Sequence, residues 1–196
     1  MKKWLTLTLL LFCIPALVWG WGTVIISGNA SSETICNTLA LSYESSGDDD
    51  WTFGYGFTDC VATDFTTTNQ LSVCKVAVYI RKTGTLSGNV RVGFQSDASG
   101  SPSGIWLAVS EWVSWSDIGT TYDWVNFTFP TNVSLSASTT YWLVIDTDTE
   151  LSADQAYWYR NKTSGPGSNA VCGEIDCDCS SWNTASGRTA YYRIYE

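Results

Sequence analysis

Through the middle of the chain, apolar side chains return at every second position. Val76, Val78 and Ile80 alternate with Lys75, Ala77, Tyr79 and Arg81, until Gly84 and Gly88 break the run. Val90, Val92 and Phe94 alternate with Arg91, Gly93 and Gln95, and Ser99-Gly100-Ser101-Pro102-Ser103-Gly104 then turns the chain. Val125, Phe127 and Phe129 repeat the pattern up to Pro130. A period of two sorts one set of side chains to a buried face and the other to water, which is the mark of antiparallel β structure. The pattern predicts strands near residues 73–81, 89–95, 105–113, 123–129 and 140–146. Earlier strands are expected at Thr23–Ser27 and Thr38–Tyr43, and later ones near 156–160 and 189–195. Gly47-Asp48-Asp49-Asp50 reads as a polar turn, residues 51–57 as an aromatic segment punctuated by glycine, and residues 161–187 as a cysteine-rich loop. No stretch carries a helical apolar stripe, so the expected fold is all-β: an antiparallel two-sheet sandwich of jelly-roll type, stapled by disulfides.

The first residues follow a different pattern. Lys2 and Lys3 precede an apolar stretch from Trp4 to Val18, and Val18-Trp19-Gly20 ends it on a small residue. This is the layout of a secretory signal peptide, residues 1–20, with cleavage expected after Gly20 and with Gly22 as the alternative. The competing reading, an uncleaved membrane anchor, is disfavoured because the stretch falls short of the ~20 residues a spanning helix needs. Cys13 leaves with the signal. Residues 21–196 then form a single β-sandwich domain, secreted or held at the cell surface, with no membrane span after signal removal.

Export changes the charge and cysteine arithmetic. Lys2 and Lys3 depart, so the ten basic residues of the full chain fall to eight against nineteen acidic ones. Such a surface repels phosphate backbones, which excludes nucleic acid as the expected partner and favours neutral or cationic ligands. Cys36, Cys60, Cys74, Cys172, Cys177 and Cys179 remain. An even count in an exported chain points to disulfides, and six cysteines allow fifteen pairings. Cys60 to Cys74 is the pairing first expected, because it would close a short excursion between neighbouring strands. A zinc site is the rival, but Cys172, Cys177 and Cys179 lack the usual two-residue spacing and the chain has no histidine.

Several runs resemble a known family. Val78-Tyr79-Ile80-Arg81-Lys82-Thr83-Gly84, Gly88-Asn89-Val90, Ser96-Asp97 and Gly100-Ser101-Pro102 are similar to segments of the secreted β-sandwich domains called choice-of-anchor domains. Trp124-Val125-Asn126-Phe127-Thr128-Phe129, Thr139-Thr140-Tyr141-Trp142-Leu143-Val144 and Tyr192-Arg193-Ile194-Tyr195 continue the likeness, which covers roughly residues 71–196. The resemblance implies a jelly roll akin to carbohydrate-binding modules, carried by secreted or surface proteins of microbes and viruses and without established enzymatic activity. The chain departs from the family in having no C-terminal anchor and in its six cysteines.

Nine tryptophans follow the signal. Flat indoles suit the apolar face of a sugar ring while amides and carboxylates take its hydroxyls. Trp142 sits in a strand expected at the middle of a sheet and is assigned to packing. Trp124 shares a face with Asn126 and Thr128, opposite Phe127 and Phe129, so it turns outward if the phenylalanines are buried. Trp112 and Trp115 flank a strand end beside Glu111 and Asp117, and Trp51 and Tyr55 are expected on a flexible loop. Trp51, Tyr55, Trp112, Trp115 and Trp124 are therefore the expected contacts for a glycan or another cell-surface ligand.

Other functions find less support. Without histidine there is no Ser-His-Asp or Cys-His arrangement. A glycosidase needs two carboxylates, and Asp59, Asp64, Glu111, Asp117, Asp146, Asp148 and Glu150 are too many for one pair to stand out. A homo-oligomer built by strand addition, with residues 21–41 as donor, is the structural alternative. Asp48-Asp49-Asp50 and Asp146-Thr147-Asp148-Thr149-Glu150 offer oxygen ligands suited to a structural calcium. The second run has Leu151 where an EF-hand loop needs glycine and Tyr157 where it needs glutamate, so solvated turns and no cofactor are expected. Sequons stand at Asn29, Asn126, Asn132 and Asn161.

Overall fold

A computed structural model describes residues 36–45, 49–53, 60–85, 88–149, 156–162, 165–171 and 179–196. Fourteen strands occur among them: β1 (Leu39–Tyr43), β2 (Asp49–Phe53), β3 (Cys60–Thr66), β4 (Leu71–Thr83), β5 (Asn89–Asp97), β6 (Pro102–Val109), β7 (Val113–Ser114), β8 (Asp123–Leu135), β9 (Thr140–Thr147), β10 (Ala156–Lys162), β11 (Ser168–Val171), β12 (Asn183–Ser186), β13 (Thr189–Ala190) and β14 (Tyr192–Tyr195). One 3-10 turn, Trp115–Asp117, follows β7. No helix among the described residues is long and apolar enough to cross a membrane.

The strands build two antiparallel sheets, and the pairing shows how they arise. β1 pairs with β14, β3 with β9, β4 with β8 and β5 with β6. These eight strands thus match first with last and inward to the middle, like a long double ribbon. Folding that ribbon joins β14 to β4 and β9 to β5. Sheet I is then β1-β14-β4-β8, and sheet II is β3-β9-β5-β6, the wrapping of a jelly roll. β10 extends sheet I beside the far half of β4 and carries β2 on its other side. β11 and β12 extend sheet II beyond β3.

The alternating residues fill the space between the sheets. Val76, Val78 and Ile80 of β4, Val90, Val92 and Phe94 of β5, and Phe127 and Phe129 of β8 are all buried there. Phe94 stacks on Phe129 at 5.3 Å and Phe65 meets Tyr192 at 5.8 Å, tying one sheet to the other. Full burial of one such side chain contributes about 1.5–3 kcal/mol.

A second apolar layer lies outside sheet II. Cys60 and Ala62 of β3 and Trp142 and Val144 of β9 face away from the interior and are buried with Ala170 and Cys179, with Trp106 and Trp182 against them. Trp142 does pack, but in this outer layer rather than between the sheets. β9 is therefore covered on both faces, which explains its unbroken apolar run. Disulfides join Cys36 to Cys74 and Cys60 to Cys179. The expected Cys60–Cys74 bridge is not formed, because Cys60 points out of sheet II while Cys74 belongs to sheet I. Cys172 and Cys177 lie outside the described residues.

Several local expectations are corrected. Asp49 and Asp50 open β2, paired with Asn161 and Arg160, instead of forming a turn. The loop expected at 161–187 contains β11 and β12, whose mostly small residues show no long apolar alternation and are held by pairing with β3 and with each other and by burial of Ala170 in the outer layer. The strand expected at 105–113 ends at Val109. There Ser110 accepts a hydrogen bond from the backbone of Val92 and Glu111 donates to Thr128 O of the other sheet, so the strand is interrupted before β7 returns to β5 in sheet II. Part of the expected donor segment is occupied, since Leu39 and Leu41 already pair with β14. The strand expected at Thr23–Ser27 lies outside the described residues.

Candidate functional site

Residues on the outer face of sheet I form one continuous stack. Tyr79 of β4 stands opposite Trp124 of β8, and one step along, Ala77 stands between Asn126 of β8 and Arg193 of β14. Ala77 is too short to block a side chain passing over it. Arg193 crosses it and lies 3.9 Å from the centre of the Trp124 ring, which leaves Ala77 only 1% exposed on a face otherwise turned to water. Glu44 fixes the guanidinium with two hydrogen bonds of 2.7 and 2.8 Å. The Arg193 hydrogen bond holds the Glu44 carboxyl below its usual range, and Glu44 in turn raises Arg193. Trp124 meets Tyr79 at 5.2 Å, Tyr79 stacks on Tyr122 at 5.6 Å, and Arg81 lies 4.9 Å over Tyr122. Burial, against the Arg81 hydrogen bond, pushes the Tyr122 hydroxyl up to about 12.

Beside this stack a groove of about 540 Å³ follows β8, lined by Asp123, Trp124, Val125 and Asn126 on one side and Val113, Asp117, Gly119 and Thr121 on the other. The far wall is held from beneath. Ser114 caps the 3-10 turn by accepting from Ser116 N, and Ile118, 1% exposed, anchors its end in the core. Lys82 donates through Nζ to Trp115 O at 2.5 Å and through its backbone to Gly119 O at 2.9 Å. The Asp123 carboxylate accepts from Trp124 N at 2.7 Å. Neither Asp117 nor Asp123 pairs with a cation among the described residues. The lining of the groove therefore includes a tryptophan whose ring is held by Arg193, two acidic residues, a threonine and an asparagine.

The other expected contacts do not converge on it. Trp115 is half-buried behind the groove wall, its ring covered by the Lys82 ammonium at 4.2 Å. Trp51 lies in β2, paired with β10, rather than on a flexible loop; it packs against the interior, and Arg188, paired to Asp49, lies 4.7 Å over it. Trp112 is 40% exposed, 4.3 Å from the Arg91 guanidinium of β5. Tyr55 lies outside the described residues. Glu44, Arg193, Asp123 and Thr121 were not singled out in the sequence. Their only signal was the outward position of Arg193 in the alternation of β14.

Near Trp112, Arg91 also pairs with Asp146 at 2.7 Å. Burial raises the Asp146 carboxyl, with Arg91 opposing. Asp146 Oδ1 lies 3.6 and 3.7 Å from the sulfurs of Cys60 and Cys179, but these are bonded to each other and offer no thiolate to a metal. Asp148 accepts from the backbone and side chain of Asn89 and from the Thr149 hydroxyl, so it closes a turn. No protein-family profile matches the chain, and a search of curated proteins returns no match.

Proposed function

We propose that this chain is an exported, non-catalytic glycan-binding module that receives a sugar ring in the Trp124 groove. The observation that carries this reading is an indole pinned by Arg193 and Glu44 at the wall of a groove whose other polar groups are Asp117, Thr121, Asp123 and Asn126. A rigid aromatic surface offers contact area at little entropic cost, and the surrounding oxygens and amide suit sugar hydroxyls. The resemblance to choice-of-anchor domains and the signal-like residues 1–20 support the same reading. One aromatic contact with a few hydrogen bonds corresponds to millimolar to micromolar affinity, roughly −4 to −8 kcal/mol. Isothermal titration against a panel of neutral oligosaccharides tests it. Binding that Trp124→Ala weakens at least tenfold and Trp51→Ala leaves unchanged is the expected result, and silence across the panel rejects it.

Homo-oligomerisation is the second reading. β6 stands at the edge of sheet II with Ile105 72% and Leu107 49% exposed, which is the kind of edge that accepts another strand. Light scattering at high concentration separates the two readings, because a monomer unaffected by Ile105→Lys excludes assembly through this edge.

A further inference from the structure

We propose that the Trp124 groove selects glycans bearing free amino groups, of glucosamine type, over uncharged or acidic ones. The inference rests on the glycan reading above and adds the charge of the ligand. Two of the groove's lining residues are carboxylates, Asp117 and Asp123, and none is Lys or Arg. The cations near it are engaged elsewhere. Arg193 is held in a bidentate pair with Glu44, Lys82 places its ammonium on Trp115 O and the Trp115 ring, and Arg81 lies over Tyr122. The lining itself carries two negative charges and no positive one, so a sugar bearing a carboxylate meets two like charges there.

An ammonium group suits this arrangement chemically. It supplies three donors and no acceptor, whereas a carboxylate is an acceptor only. A charge-assisted hydrogen bond between them exceeds its neutral counterpart. The acidic excess of the whole chain, nineteen acidic against ten basic residues, draws a polycation toward the surface before contact. The groove is open to solvent, so each ion pair adds modestly, and the two together correspond to about a tenfold gain at low salt. Trp124 supplies the part of recognition that charge does not, since a sugar ring presents a flat apolar face and an amine-bearing peptide does not need one.

The test is titration calorimetry of the whole chain with a glucosamine oligomer, its N-acetylated counterpart, an uncharged glucose oligomer and oligolysine, at low and high salt. The glucosamine oligomer is expected to bind about tenfold more tightly than the N-acetylated one, with the difference lost at high salt. Asp117→Asn with Asp123→Asn is expected to lower affinity for the glucosamine oligomer about tenfold more than affinity for the N-acetylated one, so that the difference between the two oligomers is removed. Asn at position 123 retains an oxygen for Trp124 N, so this variant keeps the fold, and a circular-dichroism melt verifies it. Equal, Trp124-dependent affinity for amine and N-acetyl oligomers overturns the inference and leaves the glycan reading standing. Failure of every oligosaccharide to bind overturns both. Oligolysine binding as tightly as the glucosamine oligomer, and unaffected by Trp124→Ala, overturns the inference by showing that charge alone is recognised.

Discussion

The Arg193 guanidinium lies 3.9 Å from the centre of the Trp124 ring, although their strands β14 and β8 are separated by β4. The contact depends on Ala77, the residue of β4 between them, being small. Three strands of sheet I are thus locked across their outer face by one side chain, and the indole at the groove is held in place by it.

Removing that side chain tests the lock. Arg193→Ala ends both the cation–π contact and the Glu44 pair, and because both partners are partly exposed the expected loss is about 1–2 kcal/mol by denaturant titration. A larger residue at the crossing point, Ala77→Leu, is expected to disrupt the same contact from below. In both variants tryptophan fluorescence should shift and oligosaccharide affinity should fall.

The Glu44–Arg193 pair has a pH signature. The folded chain holds the Glu44 carboxyl below its unfolded value of 4.5, so the pair stabilises above that value and its contribution disappears as pH falls through the lowered folded value. Comparing melts of the wild-type chain and Glu44→Gln, the difference should be present at neutral pH, shrink in acid, and be smaller in high salt.

Asp146 has the opposite sign. Burial raises its carboxyl above the ordinary 3.8, so the folded state holds the proton more tightly than the unfolded state does. Its contribution is greatest below 3.8 and declines as pH rises through the raised value. The wild-type melting temperature minus that of Asp146→Asn should therefore fall with rising pH over this interval.

The two disulfides should differ in weight. Cys60 and Cys179 are 119 residues apart and Cys36 and Cys74 are 38 apart. Chain-entropy reasoning gives about 5 kcal/mol for the longer closure and about 4 kcal/mol for the shorter. Paired Cys→Ala variants compared by chemical denaturation should show the larger loss for Cys60 with Cys179. That pair also holds the layer covering Trp142, so its removal should increase quenching of tryptophan by iodide.

Gly93 marks a close approach in the outer layer. A Cβ there would stand 2.5 Å from Ala108 O and 2.6 Å from the Trp106 ring. Gly93→Ala is expected to cost about 1–3 kcal/mol and displace Trp106, whereas Gly100→Ala meets no neighbouring atom and differs only through its left-handed φ of 86°.

The fold class and the inward set were legible in the sequence. Val76, Val78, Ile80, Phe127 and Phe129 are buried where their spacing placed them, because the side to which a strand residue points is a local property of the pleat. Trp124 likewise turned outward once those phenylalanines were buried. What lies beside a residue on a sheet is not local. It depends on which strands pair and in what register, and those pairings join strands far apart in the chain, β1 to β14 and β3 to β9. The Cys60–Cys179 bridge, the second layer outside sheet II, the crossing of Ala77 by Arg193, and the groove that brings Asp117 to Trp124 were all decided by tertiary structure. Alternation determines the face of each side chain, whereas its neighbours on that face are set only when distant strands come into register.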